Sequence, residues 1–172
     1  MNLPIEMQLE DAVEAGDMER VETLLRDGVD PDVLCHGLET SVLELVVARE
    51  DAEMVGLFAR AGADVERPDS EGRTLLSRAA SSRDQSGSLL ALLRVGADPN
   101  APDRAGWTPL HWAAVHGYQA NVKALLANGA NPDAKDGHGS TPQAAAERNR
   151  HWGVAQTLAH RDRHPDHPDL AQ

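Results

Sequence analysis

The side chains of this sequence best suited to chemistry are one thiol, eight imidazoles and three indoles. Cys35 stands beside His36, and a thiol next to an imidazole is the smallest pair that could serve as nucleophile and base. No base beyond His36 is predictable for Cys35, and that pair alone does not make a nucleophile. Four histidines, His151, His160, His164 and His167, gather toward the C-terminus, where a metal site would need their rings on a common face. Pro165 and Pro168 forbid the helix that would align the last two, so these read as surface histidines. A Gly-rich phosphate loop, a Gly-x-Ser-x-Gly elbow and a His-Glu-x-x-His helix are all missing from the sequence. The expectation is a binding protein with no catalysis, no cofactor and no metal. Trp107 then becomes the most informative side chain. It directly precedes Thr108, a good N-cap, and there it is either an exposed interface anchor or packs flat over a neighbouring loop.

The elements that must position these residues repeat along the chain. Gly28, Gly62, Gly96 and Gly129 fall 34, 34 and 33 residues apart, each preceded by Leu-Leu or Leu-Phe and followed by Val-Asp, Ala-Asp or Ala-Asn. A period of that length is the mark of stacked supersecondary units, each unable to bury its apolar face alone. Within the fourth unit, Thr108 caps a helix that opens on Pro109, where no N–H is needed. Ala113 and Ala114 are small enough for close helix approach, and Gly117 breaks the run. A second helix, about Gln119 to Asn128, turns back and ends at Gly129 in a left-handed conformation. With 41% hydrophobic but only 3% aromatic residues, a core of Ala, Leu and Val between short helices suits the composition. Leu110, Val122, Leu125 and Leu126 must meet Leu89, Leu92 and Leu93 of the unit before.

The phrase Asp103, Gly106, Thr108-Pro109-Leu110-His111-Trp112-Ala113-Ala114, Gly117, Leu125-Leu126 and Gly129-Ala130-Asn131 resembles the ankyrin repeat closely. It recurs in weaker form as Thr141-Pro142-Gln143-Ala144, Thr74-Leu75-Leu76-Ser77, Ser41-Val42-Leu43-Glu44 and Met7-Gln8-Leu9-Glu10. The resemblance implies an all-α solenoid of antiparallel helix pairs joined by finger loops. A single domain is expected over 1–164, with repeats near 5–34, 35–68, 69–102, 103–135 and 136–163. The first and last read as caps, and 165–172 as a frayed tail. The third unit carries an extra residue in its Ser-rich turn, Ser81 to Ser88, and a mobile loop is expected there. The resemblance makes His111 a structural residue that ties neighbouring repeats together. It also implies partner contacts at finger tips and the exposed face of each first helix. These positions are Arg104, Ala105, Trp107, Trp112, Val115 and His116 in the fourth unit and Ser70, Glu71, Arg73, Arg78, Ser81 and Ser82 in the third. In the second they are Leu38, Thr40, Leu45 and Arg49, and in the first Asp11 and Glu14.

Charge adds a direction. Residues 1–66 hold four arginines against 17 carboxylates, a formal charge of −13, whereas the remainder is near neutral. The expected partner is another protein, steered by a basic surface toward the acidic half at a rate that falls with salt, and nucleic acid is excluded on the same balance. No segment approaches about 18 uninterrupted apolar residues, so no membrane is expected, and neither is an oligomer. One cysteine permits no intrachain disulfide, and the N-terminus lacks a basic start and an apolar run, so the expected location is the cytoplasm. Arginine outnumbers lysine 14 to 2, a bias that points to a bacterial genome.

Overall fold

The computed structural model describes residues 4–37, 39–83 and 85–160, so Leu38 and the expected frayed tail lie outside the described residues. Among the described residues ten helices follow one another as five hairpins: α1 (Ile5–Ala15) with α2 (Met18–Arg26), α3 (Val42–Ala48) with α4 (Ala52–Arg60), α5 (Leu75–Ser82) with α6 (Gly87–Arg94), α7 (Pro109–His116) with α8 (Gln119–Ala127), and α9 (Pro142–Arg148) with α10 (Trp152–Ala159). The first helices pack in the order α1, α3, α5, α7, α9, and the second helices in the order α2, α4, α6, α8, α10. The result is a two-layer stack in which each hairpin touches its neighbours in sequence. No strand occurs among the described residues, and the one extended pairing is a bridge between Leu34 and Ser41.

Polar residues at the helix starts explain where the helices begin. The hydroxyls of Ser41, Thr74, Ser86 and Thr141 accept the N–H of Glu44, Ser77, Leu89 and Ala144, and Asp17 and Asp51 do the same for Arg20 and Met54. Each satisfies a donor that a helix start leaves free. The first unit has no such cap at Met7: α1 begins after Pro4, two residues before Met7, and runs 11 residues. Gly117 ends α7 at φ +74, and a Cβ there would run into the His151 ring, so conformation and space both require glycine.

One continuous core runs through all five hairpins, with Leu9, Phe58, Leu76, Leu92, Leu110, Leu125 and Leu158 fully buried along it. Ala79, Ala80, Ala113, Ala114, Ala145 and Ala146 are buried in the first helices, where small side chains let adjacent helices approach. Truncating any of these leucines to alanine leaves a cavity worth about 2–5 kcal/mol.

The third-unit turn, expected from sequence to be a mobile loop, has its serines tied to neighbouring units. It does hold the extra residue. Ser86, fully buried, donates to the Glu50 carboxylate at 2.8 Å, and Ser82 donates to it at 2.7 Å. The Ser88 N–H also reaches Glu50, at 3.2 Å. From the other side the Asn121 amide donates to the Arg83 carbonyl at 2.6 Å and accepts the Ser86 N–H. The polarity that suggests solvent exposure is spent on the second and fourth units.

Candidate functional site

The candidate face is built from three finger loops with one design. Asp69, Asp103 and Asp136 each place Oδ1 on two backbone N–H groups, two and four residues ahead. The donors are Glu71 and Arg73, Ala105 and Trp107, and His138 and Ser140, all at 2.8–2.9 Å. In return each aspartate N–H donates to the carbonyl four residues on, closing the loop. Burial alone would raise the Asp69 and Asp136 carboxyls. The backbone N–H bonds outweigh it, with help from the Arg73 guanidinium at Asp69 and from His111 and His138 at Asp136, and hold both below the usual carboxylate range. Successive fingers are laced directly: Arg104 N–H donates to the Glu71 carbonyl and Gly137 N–H to that of Ala105, at 3.2 and 2.8 Å. Gly106, at φ +79, has no room for a Cβ, which would fall 2.8 Å from the Gly137 nitrogen.

His111 completes the link, as the family resemblance implied. Its ring is fully buried. Nδ1 accepts the Thr108 N–H at 3.2 Å and faces the Thr108 hydroxyl at 3.0 Å, while Nε2 donates to the Ser140 carbonyl of the next finger at 3.0 Å. The Thr108 hydroxyl is therefore shared with the imidazole. Burial pushes the His111 pKa below its ordinary value, which keeps the ring neutral.

The second finger breaks the pattern at the thiol. Cys35 occupies the aspartate position, and the loop is one residue longer, with Cys35 N–H donating to the Thr40 carbonyl at 2.8 Å. The Glu10 carboxylate of α1 takes the His36 N–H from outside the loop, at 2.8 Å. Burial pushes the Cys35 thiol up to about 11, and Glu10 adds to the shift. A thiol so protonated at neutral pH is no nucleophile. His151, proposed and rejected as a metal ligand, lies against Gly117; His164 and His167 lie outside the described residues. No group of three potential metal-binding side chains occurs among the described residues.

Between the third, fourth and fifth fingers and the first helices lies a groove of about 910 Å³. Trp107 and Trp112, both half-buried, form its apolar floor with ring centroids 4.9 Å apart and planes at 56°. The Trp112 N–H donates to Asp103 Oδ2 at 3.1 Å, and the Arg73 guanidinium sits 5.6 Å from the Trp112 ring centre. His116 stacks on Trp112 and on Tyr118, extending the aromatic row along α7. Such rows combine large apolar area with few rotatable bonds, the qualities of an interface anchor.

The structure brings the six fourth-unit positions, Arg104, Ala105, Trp107, Trp112, Val115 and His116, together on this groove. Trp107 stacks on His111, meets the Trp112 ring at a tilt and also lines the groove. Arg73, Arg78, Ser81 and Ser82 line a smaller neighbouring hollow of about 250 Å³. Arg73 and Arg78 are both committed to Asp69, at 3.1 and 3.4 Å, with Glu71 and Glu44 as second partners. Leu45 packs against the core, Arg49 ends α3, and Asp11 and Glu14 stand exposed on α1; none of the four lines either hollow. Sequence reasoning missed the far wall, His138, Arg148 and Asn149. These stand 33 residues after Ala105, Val115 and His116, so the repeat register carried one unit further finds them.

Among the described residues no helix is long and apolar enough to cross a membrane. The comparison with curated proteins returned no match. A family model described as ankyrin repeats, in three copies, matches residues 9–103 and again 85–169. With this match spanning nearly the whole chain, and with the stacked hairpins, laced fingers and bridging His111 in place, the chain belongs to the ankyrin-repeat family.

Proposed function

We propose that this interaction module binds, and thereby sequesters or inhibits, one specific protein partner through the groove of its fourth unit. The observation that carries the reading is the convergence of two indoles, His116 and Val115 on one concave face. Concave apolar surfaces with a few fixed polar groups are where binding energy concentrates. The exposed carboxylates of the first two units would steer a basic partner surface toward the stack. A bacterial immunity protein that neutralises a basic toxin in the cytoplasm is the sharpest form of this proposal. Adding the purified protein to its isolated partner should abolish the partner's activity. Trp107→Ala should weaken that inhibition about 30-fold, the loss of one anchor worth about 2 kcal/mol, while the helical circular-dichroism signal stays intact. A stable complex with unchanged partner activity would instead identify an adaptor or accessory subunit that holds a larger complex together.

A further inference from the structure

The groove's polar groups have a direction. Its three carboxylates are already engaged: Asp103 accepts from two backbone N–H groups and the Trp112 indole, Asp136 is only 7% exposed and accepts from His138 and Ser140, and Glu71 is paired with Arg73 at 3.1 Å. The guanidiniums are in the opposite state. Arg104 on the fourth finger and Arg148 at the end of α9 are exposed, line the same groove, and have no ion-pair partner among the described residues. A cationic side chain from a partner finds poor reception here. Trp112 already has the Arg73 guanidinium 5.6 Å from its ring centre, and the Trp107 ring lies beside it at 4.9 Å between centroids. Two free planar donors flanking an apolar floor fit carboxylates on either side of an apolar side chain.

The acidic first half of the chain does not cancel this local preference. Units one and two are at least two helix spacings of ~8–10 Å from α7, and the screening length at physiological salt is ~8 Å.

We propose that the groove takes an extended acidic segment of the partner, in which an aromatic or aliphatic anchor on the Trp107–Trp112 floor is flanked by Asp or Glu that pair with Arg104 and Arg148. This rests on the protein-binding reading given above and adds the chemistry of the bound segment. A partner that meets both halves of the stack is therefore bipolar, with a basic surface facing the first two units and an acidic-apolar segment in the groove.

The test is selection of short random peptides displayed on phage against the full chain, with counter-selection against Trp107→Ala. The expected binders are enriched in Asp and Glu around an aromatic or aliphatic residue. Synthetic copies should then perturb tryptophan fluorescence and bind about tenfold more weakly when their Glu is replaced by Gln. Arg104→Gln and Arg148→Gln should weaken the acidic peptides by a similar factor and leave the Gln copies unchanged. Trp107-dependent binders rich in Lys or Arg, or indifferent to charge, would overturn the acidic-segment proposal while preserving the groove as a binding site. Failure to select any Trp107-dependent binder would overturn both.

Discussion

Carboxylates do opposite work in the two halves of this stack. In the first, side chains such as Asp11, Glu14, Glu19 and Glu53 stand exposed on the helices. In the second, Asp69, Asp103 and Asp136 are turned onto backbone N–H groups and hold the finger loops in shape. Formal charge and available charge are therefore separate quantities. The first half keeps these acids on its surface, even though Asp17 and Asp51 cap helices and Glu10 and Glu50 hold His36 and Ser86 in place. The second turns its finger aspartates onto the backbone, while Arg104, Arg148 and two indoles line the groove.

The contrast can be broken most severely at His111. His111→Ala should cost about 3 kcal/mol in urea unfolding, since it opens a buried cavity and strands the Thr108 N–H. The same residue makes stability depend on pH. Its folded pKa is depressed by burial, so its contribution is complete above the unfolded value of about 6.5 and is lost as pH falls toward the folded value. Unfolding curves at pH 7.5 and 5.5 should therefore converge more in His111→Ala than in the parent. An unchanged pH dependence would show that His111 does not couple its protonation to folding.

The next effect in size is a comparison between aspartates. Asp103→Ala frees two backbone N–H groups and the Trp112 indole and should cost about 2 kcal/mol, whereas Asp11→Ala should stay within about 0.5 kcal/mol. Equal costs would mean that the inward and outward carboxylates are not different after all. Thr108→Ala follows at about 1 kcal/mol, from the shared hydroxyl of the fourth first helix.

The smallest effect has the opposite sign. Ser77 holds the place in the third unit that His111 holds in the fourth, yet its hydroxyl is buried without a hydrogen-bond partner among the described residues. Ser77→Ala should leave stability unchanged or raise it by up to about 1 kcal/mol. A marked loss in thermal unfolding would show that the hydroxyl has a partner.

Much of the hairpin register could be read from sequence, because Thr108, Pro109, Gly117 and Gly129 act through local backbone rules. The near wall of the groove was legible for the same reason: Trp107, Trp112, Val115 and His116 share one unit. Arg148 and Asn149 escaped because the fifth unit reads as a capping repeat, although they sit in register with Val115 and His116. The anchoring of the Ser81 to Ser88 turn could not be read locally, since it depends on Glu50 and Asn121, 36 and 35 residues from Ser86. The fixing of His36 by Glu10 is invisible for the same cause, as the contact spans 26 residues.

Affinity capture from native lysate, with the parent chain and Trp107→Ala side by side at low and high salt, asks whether the fourth-unit groove is where a partner is held. One protein should be retained by the parent, less of it at high salt, and little by the variant. Equal recovery on both, at either salt, would contradict that placement.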